Sequence, residues 1–365
     1  MPTLLVLAFC FSGCKTDGAK PITKSTSNQY QTIKGKTMGT TYQVTFKDAH
    51  HIVKQDQIDK LLIDVNQGVS TYISDSDISL FNQAKDQIVL PSGSDQHISM
   101  STDGVLNEDF VFQHLTNNLE ASRNIYELSN QLFDPTIMPL VNYWGFGYKG
   151  RKPQEFIKSD TVNQILESIG LDKVSLISND KNVVVTKSHP KTELDFSAIA
   201  KGYGVDLVMQ YLKQCEVSNA YVEIGGEVST IGKSPSNQDW KIGINTPDKH
   251  APLNDFEQII QFSGLALASS GNYRNFHEMN GKSYGHEISP KTGYPQQTDV
   301  LSASVIAPTC QLADGIATAC MVMGADSSLD LINSLDGVEV LLITSGDDGS
   351  YVHLMSQGFE QYLVK

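Results

Sequence analysis

LADGIATACMVMG, Leu312–Gly324, is a run of small and apolar residues that reads as a helix, with one carboxylate, Asp314, inside it and a hydroxyl, Thr318, four positions on. Residues at i and i+4 share a helix face. A carboxylate and a hydroxyl on one turn can hold a hard cation through oxygen and leave positions open for water and phosphate. The same acid, close to a helix start, can instead satisfy free backbone N–H groups as a cap. The stretch alone leaves both readings standing.

Outward from it, the chain alternates hairpins with separate helices. Val338–Thr344 and Tyr351–Met355 read as a closing hairpin around a Gly/Asp turn. Upstream, Ala198–Leu212 has helical spacing, and Tyr221–Ile224 and Trp240–Ile244 read as strands. Val174–Ile177 with Val183–Thr186 makes a second hairpin, and Thr161–Ile169 a short helix. Val111–Leu132 and Ile52–Val69 read as helices, and Thr37–Phe46 as a strand. No βαβ series is visible, so the expected class is α+β with a mainly antiparallel sheet and packed helices.

The bulk numbers exclude some functions. A chain of 365 residues with 40% hydrophobic content can bury a large core. The net charge of −14, without a basic cluster, argues against nucleic-acid binding. Leu4–Phe11 is apolar but too short to span a bilayer, and it runs into Ser12, Gly13 and Cys14. Small residues before a cysteine resemble a bacterial lipoprotein processing site, with residues 1–14 as signal segment and Cys14 lipidated. Polar residues 15–32 then read as a tether, and 33–365 as the folded domain. The other cysteines, Cys215, Cys310 and Cys320, lack metal-ligand spacing; a Cys310–Cys320 disulfide and buried free thiols both remain open.

Four further stretches carry possible chemistry. In Asp195–Asp206 (DFSAIAKGYGVD), small residues at a helix start permit close ligand approach, with Lys201 as a nearby cation; a capped helix with an exposed lysine is the plainer reading. Gly225-Gly226 after a strand reads as a tight turn. His286, in a loop punctuated by Pro290 and Gly293, is either a general base or a structural histidine. Leu132–Gly147 holds two prolines and three aromatics, Tyr143, Trp144 and Phe146, that suit either the wall of a flat-ring site or the core.

Taken together, MGTTY, STYISDSDISLFN, FDPTIMPLVNYWGFG, DFSAIAKGYGVD, the IGG strand, SSGNYRNF, HEISPKTGYP and ADGIATACMVMG are collinear with, and resemble, the ApbE-type FAD:protein FMN transferases. The resemblance runs from about residue 33 to 365. It implies a T-fold-like ApbE architecture with a ligand cleft between two subdomains. It also implies transfer of FMN from FAD to a Thr or Ser hydroxyl of an acceptor protein, a redox-pump or electron-transfer subunit, with release of AMP. Acceptor sites in the family resemble Asp-Gly-x-Thr/Ser-Gly/Ser-Ala-Thr.

By position, the resemblance makes Asp314 and Thr318 metal ligands for Mg2+, with backbone oxygens of Ala198 and Ala317. It makes Met38, Tyr72, Leu132, Phe133, Asp134, Asp195, Lys201 and Ile288 contacts for FAD, and His286 the base. Asn82, ending its motif, bears on the balance between transfer and hydrolysis. Gln131 stands where a glycine commonly precedes the FDPT segment, and Ser289 where an acid often precedes the proline. Two alternatives share the site: a Mg2+-dependent FAD pyrophosphatase giving FMN and AMP, and an FAD-binding lipoprotein without catalysis. Family members are often exported lipoproteins, so the expected location is a membrane anchor through Cys14 facing the periplasm, the inner membrane ahead of the outer.

Overall fold

The computed structural model describes residues 29–93, 98–107, 113–149, 157–252, 254–272, 276–279, 282–296, 298–346 and 348–364. Cys14, the expected leader, most of the expected tether and Arg274 lie outside them.

In chain order the elements are β1 (Gln31–Thr37), β2 (Thr40–Phe46), α1 (Gln55–Val69), α2 (Asp77–Gln83), β3 (Gln87–Pro91), α3 (His114–Leu128), α4 (Met138–Tyr143) and α5 (Ser159–Leu166). Next come β4 (Val174–Ser178), β5 (Asn182–Lys187), α6 (Ala200–Gln214), β6 (Ala220–Ile224), β7 (Glu227–Ile231), β8 (Trp240–Asn245), β9 (Phe256–Phe262) and β10 (Ala266–Gly271). The chain closes with β11 (Phe276–Met279), β12 (Lys282–Gly285), β13 (Val300–Ala307), α7 (Cys310–Met323), α8 (Ala325–Ile332), β14 (Glu339–Ser345) and β15 (Tyr351–Met355).

Eight strands make one sheet in the order β1-β2-β6-β7-β10-β13-β14-β15. Every neighbouring pair in it is antiparallel. The α+β expectation, with a mainly antiparallel sheet, is therefore correct. A three-stranded sheet, β3-β5-β4, and the pairs β8-β9 and β11-β12 complete the described sheets. Helices α6 and α7 pack on each other and on the large sheet, where Val205, Val208, Leu212, Ile316, Ala317 and Cys320 are buried with Val222, Ala268 and Val305 in one core cluster. Helix α1 adds Ile58, Leu61, Leu62 and Val65 at helical spacing to the same core.

Several sequence expectations shift. Thr37–Phe46 is not one strand: the chain reverses at Met38 (φ 48°) and Gly39 (φ 73°), so Thr37 pairs with Thr40. Positive φ at both positions of a two-residue hairpin turn is the type I′ pattern, and methionine is not a residue that announces it. The first strand starts at Gln31, inside the stretch expected as tether. Helix α3 ends at Leu128, because Asn130 (φ 51°) and Gln131 (φ 68°) turn left-handed and release Leu132 into a loop. That φ explains why a glycine would suit position 131. Cys310 and Cys320 are free, buried thiols on one helix, ten residues apart in sequence; about 15 Å of rise excludes a disulfide between them.

A buried lysine ties the small sheet to the main body. Lys187 Nζ donates to the carbonyls of Phe81 (2.9 Å), Asn82 (3.3 Å) and Thr192 (2.8 Å). Two of these lie in the last turn of α2, where a cation also complements the helix dipole. Lys187→Met should leave three buried carbonyls without that donor and lower stability by ~3 kcal/mol, read from denaturant unfolding.

Candidate active site

The start of α7 decides between the two readings of Asp314. The helix begins at Cys310, and Thr309 caps it, its side chain accepting from Leu312 N. Asp206, on α6, accepts from Cys310 N and Gln311 N, both at 2.9 Å. Asp314 is thus a full turn inside its own helix, whose first N–H groups are already satisfied. Its Oδ2 instead accepts from Gly202 N at 3.0 Å, in the first turn of α6. Each helix lends a carboxylate to the other's N-terminus. Gly202 makes the crossing possible: a Cβ there would lie 2.6 Å from Cys310 C and 2.8 Å from Gln311 Cα.

Capping leaves the second oxygen of Asp314 available. Oδ1 lies 3.6 Å from Lys201 Nζ, and the same ammonium lies 2.6 Å from Glu227 Oε1. Burial works against the Lys201 charge, but Asp314 and Glu227 more than offset it and hold its pKa above the usual lysine value. Burial, and then the neighbouring Asp314 charge, push the Glu227 carboxyl above the usual carboxylate range, with Lys201 pulling the other way. Glu227 is 3% exposed, and its Oε2 has no hydrogen-bond partner. Thr318 Oγ1 faces Ser270 Oγ at 3.2 Å.

These groups line a cleft of about 780 Å³. One wall comes from the large sheet and its helices: Gly225, Gly226 and Glu227 at the β6–β7 turn, Ser269–Gly271 at the end of β10, and Asp314 and Thr318. The Gly-Gly pair is the tight turn expected, with φ 61° and 108°, and it also admits the cleft to the backbone. Leu132–Pro135, Val141 and Phe146, with His286–Ile288 and Pro290, also line the cleft. Gly243–Asn245 of β8 form part of the lining.

Most of the residues singled out from sequence meet here: Tyr72, Leu132, Phe133, Asp134, Asp195, Ala198, Lys201, His286, Ile288, Asp314 and Thr318 all line the cleft. Met38 and Ala317 do not. Met38 sits in the β1–β2 turn against α6, where its Cε would be 2.9 Å from a Cβ at Gly204, and Ala317 is fully buried on the core face of α7. Asn82 is also outside; it braces the approach to Asp195, donating to Leu194 O at 2.9 Å and accepting from Leu194 N at 2.6 Å. Asp134 accepts from Thr136 N at 2.8 Å and Thr136 Oγ1 at 2.6 Å, while burial raises its pKa. Asp195 accepts from Ser197 N at 2.8 Å and from its hydroxyl, and burial raises its pKa too.

The aromatic trio divides. Phe146 lines the cleft, with its ring 6.3 Å from that of His286. Trp144 is core, 1% exposed, and its Nε1 donates to Gly293 O at 2.9 Å, tying the His286 loop to α4. His286 Nδ1 lies 3.3 Å from Glu287 Oε1, a carboxylate 8% exposed. Ser289, where the acid was absent, is buried inside the turn of that loop.

Asp314, Thr318 and Ala198 line one cleft and carry hard oxygen donors, two on side chains and one on the backbone, beside a buried carboxylate oxygen without a partner. They fit a Mg2+-like cation that keeps waters and phosphate oxygens as its other ligands. Among the described residues there is no group of three or more His, Cys, Asp and Glu that could hold a metal.

The ApbE family model matches residues 38–342, a span holding every cleft residue named above. The chain belongs to the ApbE family. The FAD:protein FMN transferase of Haemophilus influenzae is 35% identical over 337 residues, covering 90% of this chain and 90% of that protein. The FAD:protein FMN transferase of Vibrio cholerae is 34% identical over 337 residues, covering 91% and 92%. The solved structure of the flavin transferase ApbE from Vibrio cholerae superposes with a TM-score of 0.75 at 31% identity, covering 92% of this chain and 99% of that one. The apo form of the Pseudomonas stutzeri flavinyl transferase ApbE gives 0.74 at 28%, covering 92% and 97%. The large antiparallel sheet with packed helices is thus the ApbE architecture expected from the motifs.

Sequence reasoning missed Glu227, Glu287, Ser270 and the capping role of Asp206. Asp206 had a readable signal, four residues after Gly202 in the same quoted run. Glu227 had none, because its partner Lys201 lies on another element.

Proposed function

We propose that this chain is a Mg2+-dependent FAD:protein FMN transferase. It moves FMN from FAD, through the phosphate, onto a Thr or Ser hydroxyl of an acceptor protein and releases AMP. The observation that carries this reading is the meeting of Asp314 Oδ1 and Thr318 with Lys201 in one cleft large enough for a dinucleotide. Asp314, Thr318 and the Ala198 carbonyl would hold the cation. When bound, it supplies charge neutralisation on the pyrophosphate.

The chain's own groups do the rest. Lys201 adds a fixed positive charge beside the phosphates, pre-organised by its carboxylates. Leu132, Phe133 and Phe146 offer an apolar wall for the flavin ring and exclude water from it. His286, oriented by Glu287, takes the proton of the acceptor hydroxyl. The hydroxyl oxygen bonds to the phosphorus next to riboflavin, the bridging P–O bond breaks, and AMP leaves with the bridging oxygen. The acceptor is a redox-pump or electron-transfer subunit that presents an Asp-Gly-x-Thr-type segment.

The apolar run Leu4–Phe11 ending at Ser12-Gly13-Cys14 supports a lipid anchor on Cys14, with the catalytic domain, which opens at β1 from Gln31, facing the periplasm from the inner membrane. Among the described residues no helix is long and apolar enough to cross a membrane.

AMP release from FAD, followed by chromatography with Mg2+ or with EDTA, tests the reaction. AMP formed only when acceptor and Mg2+ are both present is the expected result. AMP and FMN formed at full rate without acceptor would make the protein a pyrophosphatase. Bound FAD that yields no AMP under any condition would make it a flavin-binding protein without catalysis.

A further inference from the structure

Glu227 opens β7 immediately after the Gly225-Gly226 turn and lines the cleft. A buried carboxylate costs several kcal/mol unless paired. Here pairing is only half complete: Oε1 holds Lys201 Nζ at 2.6 Å, and Oε2 has no partner. Lys201 has a second carboxylate within reach, Asp314 Oδ1 at 3.6 Å, and that is the same oxygen the cation requires. The other oxygen of Asp314 is committed to Gly202 N at 3.0 Å. An ammonium and a divalent cation therefore compete for one oxygen, and the ammonium sits nearer to Glu227.

We infer that Glu227 is a positioning residue: it draws the Lys201 ammonium away from Asp314 Oδ1, so that the lysine and a divalent cation occupy the cleft together. The inference rests on the metal reading of Asp314 proposed above. Charge balance agrees with it. While Glu227 is ionised against Lys201, two carboxylates and one ammonium leave the site net negative, which would repel a pyrophosphate. Adding a divalent cation turns it net positive, but only if Lys201 stays. Without Glu227, the nearest carboxylate for the ammonium is Asp314, and each cation would exclude the other.

The test is a calorimetric titration of the whole protein with Mg2+ alone, with the Mg2+-induced rise in melting temperature as a second readout. Glu227→Gln keeps the side-chain volume and removes the counter-ion. It should weaken Mg2+ binding by about 10- to 100-fold. Removing the competing ammonium as well, in Lys201→Met/Glu227→Gln, should return the affinity to within about threefold of the unmutated protein. This rescue separates positioning from the alternatives. If the double variant binds Mg2+ as weakly as Glu227→Gln, Glu227 is itself a ligand and the inference is overturned. If Glu227→Gln alone leaves Mg2+ affinity unchanged, it is overturned as well. An unmutated protein that binds no Mg2+ would instead sink the metal reading of Asp314, and this inference with it. Melting curves without Mg2+ check that each variant is folded.

Discussion

Asp314→Asn should lower Mg2+-dependent AMP release from FAD about a thousandfold, ~4 kcal/mol of transition-state stabilisation, while the protein remains folded. Asparagine is the informative replacement. Its side-chain oxygen can still accept from Gly202 N, the bond Asp314 makes at 3.0 Å, so the α6 cap survives. What disappears is the charge that holds a cation in the cleft. Alanine would confound the two effects, because it also strands a buried N–H at a cost of ~1–3 kcal/mol. The two roles of Asp314 thus separate by substitution: Asn removes the metal role, and the further loss of stability from Asn to Ala measures the cap. Turnover is read by AMP release, stability by denaturant unfolding. If Asp314→Asn retained near-normal Mg2+-dependent turnover, the acid would be a cap and nothing more.

The second large effect falls on a residue that touches no ligand. Gly202→Ala should destabilise the protein by ~3 kcal/mol and take most of the activity with it. The new Cβ would meet backbone of α7, at Cys310 C and Gln311 Cα, rather than the end of a side chain that can rotate away. Helix α7 must shift, and it carries Asp314 and Thr318. Gly204→Ala is the control, two residues on in α6. Its Cβ meets side-chain tips alone among its three nearest atoms: Met38 Cε at 2.9 Å, Ile224 Cδ1 at 3.3 Å and Leu62 Cδ2 at 3.6 Å. Met38 can move, and alanine favours the helix over glycine by ~1 kcal/mol, so that variant should lie close to neutral. Thermal melts and AMP release on the pair decide the point. Equal losses in both variants would mean that the α6–α7 crossing is not the constraint.

The helices with clear apolar spacing were legible from sequence, as were the terminal hairpin and the class of fold. α1 and α7 show why: Ile58, Leu61, Leu62 and Val65 keep one face, and the α7 run is small and apolar throughout. Strands β10 and β13, ALASSG and VLSASVIA, were not read, although they form the middle of the sheet. β13 is buried at seven of its eight positions, and β10 is buried over Ala266–Ala268 and then opens at Ser269, so neither shows the alternation that marks a half-exposed strand. At the site, the residues that touch ligand in the proposed mechanism were found through motif resemblance, not periodicity. The groups that support them were not. Asp206 and Glu227 act across helix crossings and a turn, and sequence spacing carries no record of such pairs.

The role of Asp314 shows the same limit at one residue. Sequence offered cap or metal ligand as alternatives, and both were framed on its own helix. The structure gives it a capping role on α6 through one oxygen and leaves the other facing the cleft. The choice turned on where α7 starts, at Cys310, and on the groups that already cap that start: Thr309 just ahead of the helix and Asp206, 104 positions upstream of Cys310.

The intact mass of an acceptor domain after incubation with the protein, FAD and Mg2+ is the most direct single measurement. The acceptor should gain the mass of FMN less water, at the Thr of its Asp-Gly-x-Thr segment, and gain nothing when EDTA replaces Mg2+ or when that Thr is changed to Val. An acceptor of unchanged mass, while FAD is consumed to FMN and AMP, would contradict transfer and leave a pyrophosphatase in its place.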